Sequence, residues 1–470
     1  MKSCLSILSF FIVLGLSAQE KVLKNLDSQS EKYEAIALQI WDWAEVGYKE
    51  VQSSELLQQT LSEAGFRIEK GVAGIPTAFV AEYGSGTPII GILGEYDALP
   101  GLSQKAVPQK ESAEGIAGHA CGHHLFGTAS AAAAIAVKDW LKARGGQGTI
   151  RFYGCPAEEG GSGKVYMTRA GLFDDLDVAL HWHPGDRNDA SASAALANKS
   201  AKFRFHGVSA HAAGAPEKGR SALDGVEAMN AMVNMMREHI PQQARIHYVI
   251  TDGGKAPNVV PDFAEVYYYA RHNSRDMVID IFDRIVKAAE GAALGTGTQM
   301  YYEMIGGTYE LLPNVRLQQI VHKNLEAIGG VTYSPQELQF ATTISESLGQ
   351  KNLQTELASG VQPFKTEGRA YGSTDVGDVS FRVPTAGIRI ATWVPGTPAH
   401  SWQAVAAGGT GIGTKGMMVA AKTLASTAID LFSNPKAISE AKAEFLERLG
   451  PDFNYVPLLG DRAPALNYRE

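Results

Sequence analysis

Cysteine is scarce in this chain: Cys4, Cys121 and Cys155 are the three thiols among 470 residues. So few cannot form the disulfide framework of a small secreted scaffold, so the fold must rest on an apolar core. Beyond the N-terminus no apolar stretch reads as membrane-spanning: the alanine-rich run Ala129–Val137 soon meets Lys138 and Asp139. Positive charge is not in excess. Forty-two Lys and Arg against 50 Asp and Glu give a net charge of −8, and no basic stripe stands out, which argues against nucleic acid as a partner. H-E-x-x-H, G-x-S-x-G and P-loop patterns are missing. So are the H-x-E and P-C-x-x-C pieces of a zinc nucleobase deaminase. There is no internal repeat and no low-complexity linker.

Hydrophobic residues make up 45% and charged residues 20%, enough to bury a large core, and the length suggests two or three folding units. The N-terminus reads as an export signal over residues 1–18: Lys2, an apolar run Leu5–Leu16, then Ser17-Ala18 as a small-residue cleavage point. Cys4 precedes the apolar run, where a lipoprotein cysteine would not be. The expectation is an exported protein, periplasmic or secreted, with no membrane contact once the signal is removed. Cys121 and Cys155 remain; one disulfide is open to them, although the setting of Cys121 suggests another use.

Helical periodicity covers Ser30–Gly65, through Tyr33, Ile36, Ile40 and Trp43, then Leu56, Leu57 and Leu61. Strand-like runs follow at Thr77–Ala81 and Ile89–Leu93, then an alanine-rich helix from about His124 to Ala143, and strands at Thr149–Gly154 and Val178–His181. Such alternation predicts an α/β layer with a mostly parallel sheet. The middle segment reads differently. Strands at Lys202–His206, Arg245–Thr251, Phe263–Arg271 and Gln299–Ile305 interleave with helices Ser221–Glu238 and Met277–Ala292, giving β-α-β-β-α-β, the ferredoxin-like order. After Asn314 the α/β style returns, with helix Leu317–Ile328, a strand near Gly387–Ala391 and helix Gly411–Phe432. The expected architecture is one α/β catalytic domain, 22–198 and 313–436, interrupted by an α+β lid or dimerisation domain at 199–312 and followed by an extension at 437–470.

Three loops collect the candidate ligands. GHACGHHLFG carries His119, Cys121, His123 and His124; FYGCPAEEGGSGK carries Glu158 and Glu159; ALHWHPG carries His181 and His183; and PAHSW adds His400. Imidazole, thiolate and carboxylate suit borderline cations such as zinc and manganese. A lone His or Cys at a strand end is usually packing, and His206, His239, His247, His272, His322 and Cys155 are read that way. Three such loops on one sheet edge are harder to explain as packing. Adjacent carboxylates allow a division of labour, one holding a cation while its neighbour takes a proton from the attacking water and returns it to the leaving amine.

These segments, with AEVGYKE, GILGEYDALPGLSQ, GVSAHAA, NVVPD and GSTDVGDVS, resemble the aminoacylase/carboxypeptidase family of metallo-amidohydrolases. The resemblance is nearest to the aminobenzoyl-glutamate hydrolase B-subunit type and runs from about Tyr33 to Phe432. It implies a di-metal exopeptidase-like catalytic domain, two divalent ions (zinc or manganese), and hydrolysis of the amide of an N-acyl or N-aroyl amino acid. It implies Cys121, His123, Glu159, His183 and His400 as ligands, Glu158 as general base and Asp97 as support behind the ligands. His211 would polarise the scissile carbonyl, and Asn258 and Arg271 would hold substrate. It also implies a homodimer, with a sibling subunit suggested by the B-type. His124 stands where relatives carry Asp or Asn, and His181 adds an imidazole on the same strand face as His183. Two rivals remain: a metallo-dipeptidase or carboxypeptidase, and an inactive metal-dependent binding protein, against which the intact Glu158-Glu159 pair argues.

Overall fold

The computed structural model describes residues 19–369 and 372–469. The expected export signal, residues 1–18, lies outside the described residues. Helix α1 (Ser30–Trp43) buries Tyr33, Ala37 and Ile40, one stripe of an amphipathic helix, and α2 (Val51–Glu63) buries Leu57 and Leu61. Strands β1 (Arg67–Lys70), β2 (Phe79–Ser85) and β3 (Ile89–Gly94) follow, then α3 (His123–Arg144), β4 (Gly148–Gly154), α4 (Gly163–Arg169) and β5 (Val178–Gly185). The expected strand at Thr77–Ala81 begins two residues later. The Thr77 carbonyl accepts hydrogen bonds from the Ser54 and Tyr96 hydroxyls, and Ala78 N–H closes a turn onto Ile75, so ladder pairing starts at Phe79.

The inserted domain comprises β6 (Ala197–His206), α5 (Ala222–Met236), β7 (Arg245–Asp252), β8 (Phe263–His272), α6 (Arg275–Thr296) and β9 (Gln299–Thr308). The chain then returns through α7 (Val315–Ile328), α8 (Pro335–Ser347), β10 (Thr385–Ala391), α9 (Gly411–Ser433) and α10 (Pro435–Leu449). The six-stranded sheet runs β1-β2-β4-β3-β5-β10. Its strands β4, β3, β5 and β10 are parallel, whereas β2 lies antiparallel to β4 and β1 antiparallel to β2. The connection from Lys70 to Phe79 is too short for a parallel crossover, which needs a dozen or more residues. Alanines 129 and 131–134 of α3 are all buried and let α9 pack closely across it. The inserted sheet is antiparallel in the order β7-β8-β6-β9. One of its faces buries Phe203, Phe205, Val266 and Tyr268 against Val226, Met229, Ile281 and Phe282 of α5 and α6.

Because β3, β4, β5 and β10 run the same way, their carboxyl ends share one edge of the sheet. There open the loops that carry Glu95 and Asp97, Glu158 and Glu159, and His400, and there β5 ends with His183, which is where open α/β sheets place their ligand sites. Among the described residues no helix is long and apolar enough to cross a membrane.

Candidate metal centre

The start of α3 delivers His123 into the edge of the sheet, and the turn before it delivers Cys121. Cys121 Sγ lies 3.4 Å from His183 Nε2. The ligand atoms of Cys121, His123 and His183 fall within 4.8 Å of one another, and so do those of Cys121, Glu159 and His400. Cys121 thus belongs to two groups, and a third such group joins Glu95, His123 and Glu158. Both cysteines are free: Cys155 is buried with its thiol on the Tyr153 carbonyl, which removes the disulfide alternative.

The surroundings orient these rings. His123 Nδ1 sits 2.8 Å from Asp97 Oδ1, and His183 Nδ1 2.7 Å from the Pro184 carbonyl. With Nδ1–H donated to an oxygen, each ring presents the Nε2 lone pair inward. Asp97 Oδ2 also accepts from Glu159 N–H at 2.9 Å, so one carboxylate ties a ligand ring to the Glu158-Glu159 loop. His123 Nε2 lies 3.1 Å from Glu95 Oε2, and His400 Nε2 3.0 Å from Glu159 Oε1. Neither approach is aligned as a hydrogen bond, and His123 Nε2 and Glu159 Oε1 are buried without a hydrogen-bond partner. Buried polar atoms are rarely left so, and lone pairs converging without donors between them are what a cation would satisfy. A thiol, three imidazoles and a carboxylate are a fitting donor set for borderline divalent ions. Burial pushes the Cys121 thiol above its ordinary value, so a nearby cation is what would make it a thiolate. Burial, then the carboxylates of Glu95 and Glu159, push Glu158 well above the usual carboxylate range.

Two imidazoles stand aside. His124 Nε2 contacts the Gly408 carbonyl at 3.0 Å and its ring lies 4.8 Å from that of His119, itself on the Ile40 carbonyl. His181 packs over Gly387 of β10, where a Cβ would come 2.3 Å from its Nε2. Neither belongs to a ligand group.

Reading the sequence missed four charged residues beneath the site, although all lie inside motifs it singled out. Lys164 Nζ is held by Glu95 Oε1 at 2.6 Å and Asp375 Oδ1 at 2.7 Å, all three essentially inaccessible. Glu50 accepts from the Ala157 N–H at 2.8 Å and from the Thr77 hydroxyl at 3.0 Å, bracing the loop before Glu158. The available signal was a charged residue at the end of an apolar strand, or in a glycine-rich turn.

The inserted domain divides its candidates. Arg271 is on the face of β8 opposite the helices, beside Tyr269. Register places it next to Asn198 of β6 and Asn198 next to Thr308 of β9. Arg271 Nε, Asn198 Oδ1 and Thr308 Oγ1 are all buried without a hydrogen-bond partner. The Glu159 carboxylate beside His400 raises its proton affinity, and Arg271 is near enough to oppose that rise. His211 and Asn258, by contrast, are exposed, and their contacts are with each other's turns: His211 bridges Val259, and Ala212 N–H donates to the Asn258 carbonyl at 3.0 Å. His211 Nδ1 accepts from Ala213 and Gly214 N–H, which leaves Nε2–H as an outward donor. A groove of about 610 Å³ lined by Trp41, Trp43, Gln104 and Val405 contains none of the candidate residues.

Comparison with known proteins bears on this arrangement. A family model described as a peptidase dimerisation domain matches residues 197–296. The chain is 43% identical over 446 residues to the B-subunit of p-aminobenzoyl-glutamate hydrolase from Escherichia coli K12, covering 89% of this chain and 93% of that protein. It is 28% identical over 443 residues to Xaa-Arg dipeptidase of Mus musculus, covering 91% and 92%. The crystal structure of a dinuclear metal binding peptidase from the M20 family of Bacillus subtilis matches its fold with a TM-score of 0.58 at 17% identity, covering 87% of this chain and 99% of that one.

Proposed function

Because the chain belongs to the M20 family of metallopeptidases and amidohydrolases, we propose that it hydrolyses the amide bond of N-acyl or N-aroyl amino acids, of the aminobenzoyl-glutamate kind. The observation that carries this reading is Cys121 standing in two ligand groups at once, beside an adjacent pair of glutamates. Cys121, His123, Glu159, His183 and His400 would hold two divalent ions, zinc or manganese. Bound there, the ions would supply Lewis acidity to the carbonyl and acidify the attacking water.

The other roles fall to the chain. Glu158, half-buried, takes a proton from the attacking water and passes it to the leaving nitrogen; its raised affinity for a proton suits both steps. Asp97 fixes the His123 ring and the backbone of Glu159. Arg271 receives the substrate carboxylate, with Asn198 and Thr308 offering polar atoms in the same row. His211 Nε2–H is an outward donor suited to a carbonyl that gains negative charge, and Asn258 stands in the adjoining turn. The matched dimerisation domain supports a homodimer, in which these two residues serve the neighbouring protomer's site. Exposed Tyr248, Val249 and Ile250 on the edge strand β7 support it further. The Escherichia coli relative is named as one subunit of its enzyme, which supports a sibling chain as an additional partner. Lys2 and the run Leu5–Leu16 support export, which cell fractionation checks.

The deciding experiment is a hydrolysis screen of the purified chain, with metal content measured alongside. Acyl-amino acids including p-aminobenzoyl-glutamate are set against dipeptides including Xaa-Arg. Turnover of the first class supports the proposal, and preference for dipeptides replaces it with a dipeptidase. With metal fully bound, hydrolysis of neither would leave a binding role.

A further inference from the structure

The loop that carries the two glutamates has an unusual backbone. Ala157 (φ 56°), Gly160 (φ 89°) and Ser162 (φ 59°) are all left-handed within six residues, and two of them carry a Cβ. Such conformations strain a residue that carries a Cβ and persist where the surroundings over-determine them. Some of the restraint comes from the catalytic domain: Glu50 on Ala157 N–H, Asp97 on Glu159 N–H, and the Tyr48 hydroxyl on the Gly161 carbonyl at 2.7 Å. The remainder comes from the far end of the described chain.

Residues 450–469, after α10, return across the molecule as an irregular strap. Tyr455 donates to Asp378 at 2.7 Å, and Leu458 and Leu459 are buried. Arg462 donates to the Met304 and Ile305 carbonyls of β9, and Arg169 to the carbonyls of Gly460 and Arg462, each at 2.8 Å. The strap therefore grips the inserted domain and the catalytic domain together before it reaches the site. There the Tyr468 hydroxyl donates to the Glu159 carbonyl at 3.1 Å and Arg469 Nη2 donates to the same oxygen. The Tyr468 ring meets Tyr48 edge-on at 5.5 Å, and the Arg469 guanidinium lies 4.7 Å over the Tyr468 ring. The strap runs so close that a Cβ on Gly47 would sit 2.1 Å from the Tyr468 oxygen.

We propose that Tyr468 and Arg469 are positioning residues, which clamp the Glu159 carbonyl between strap and catalytic domain. They thereby hold Glu159 towards Cys121 and His400 and Glu158 towards the substrate. The clamp acts on the peptide joining Glu159 to Gly160. With that carbonyl fixed by two donors and the Glu159 N–H fixed by Asp97, the residue is held at both ends while its side chain stays free for a ligand role. The proposal rests on the assignment of Glu158 and Glu159 made above, and it extends the working site to a segment that no ligand motif marks.

The test uses the full chain carrying Tyr468→Phe together with Arg469→Ala, which removes both donors and keeps the ring on Tyr48. Hydrogen exchange of amides 157–162 should accelerate, and metal content should fall. kcat should drop by about 100-fold, the scale of a small misplacement of reacting groups, with KM little changed. Arg469→Lys, which restores a donor, should recover most of the loss, and Asn467→Ala, an exposed neighbour, should behave as the parent. If the double variant does not fold, Tyr468→Phe alone carries the same readouts. Unchanged exchange at 157–162 with unchanged metal content overturns the proposal, and so does an effect confined to KM. Should the parent hydrolyse no amide at all, exchange and metal content still decide the clamp, and the failure counts against the function alone.

Discussion

Replacing Cys121 by Ser exchanges a soft, ionisable sulfur for a hydroxyl at a position shared by two ligand groups. Metal content of Cys121→Ser, measured by elemental analysis, should therefore fall at both positions, and a full complement would show that sulfur is not a ligand. The adjacent glutamates separate by a different measurement. Glu158→Gln should keep its metal and lose activity by about 100- to 10,000-fold, the usual contribution of a general base. Glu159→Gln should lose metal, because its carboxylate lies against His400. Equal metal loss in the two variants would show that their roles are misassigned. These residues were legible in the sequence because coordination needs particular atoms, which residue type and loop position disclose. Asn198 and Thr308 were not, since what marks them is burial without a partner.

At the level of elements, the short helix Val376–Ser380 carries a buried carboxyl that makes stability depend on pH. Asp378 accepts from Tyr309 N–H at 2.9 Å and from the Tyr455 hydroxyl at 2.7 Å, and burial pushes its carboxyl up from 3.8 to about 7. A folded-state value above the unfolded one means that the native state holds the proton more tightly. The resulting stabilisation is whole below pH 3.8 and is lost as pH rises through about 7. Asp378→Asn cannot ionise, so its melting temperature relative to the parent should rise from pH 5 to pH 8. A difference that stays constant would show the carboxyl already ionised in the folded state. Elements with strong periodicity, such as α1 and α9, stand where the pattern places them. Helices α8 and α10 were not anticipated, although Ser334 and Glu337 form a capping box and Pro435 opens α10. The late start of β2 had no local signal, because side chains from α2 and the loop after β3 occupy the Thr77 carbonyl.

For the whole molecule, the inserted domain sets the main question. His211 has contacts with the turn of Asn258 and none with the ligand groups of its own chain. If it completes a neighbour's site, exchanging subunits between a His211→Ala chain and a Glu158→Gln chain should regenerate one intact site per heterodimer and restore activity. Each parent variant should be impaired, His211→Ala by about 100- to 1,000-fold if it acts as an oxyanion donor does. A verified heterodimer with no recovery would place His211 in its own chain's site or outside catalysis.

The sequence by itself determined the α/β frame, the inserted β-α-β-β-α-β unit and the ligand loops. Hydrophobic period, strand-helix alternation and ligand chemistry are local properties, written in short stretches of chain. Tertiary structure decided what depends on convergence. It put Cys121 in two ligand groups, withdrew His124 and His181 into packing contacts, and buried Lys164 between Glu95 and Asp375. It also carried residues 450–469 back to the Glu159 carbonyl. Partners more than two hundred residues apart, as Lys164 and Asp375 are, leave no periodic trace in either segment. Their pairing follows from where the sheet brings them and from the cost of burying a charge alone.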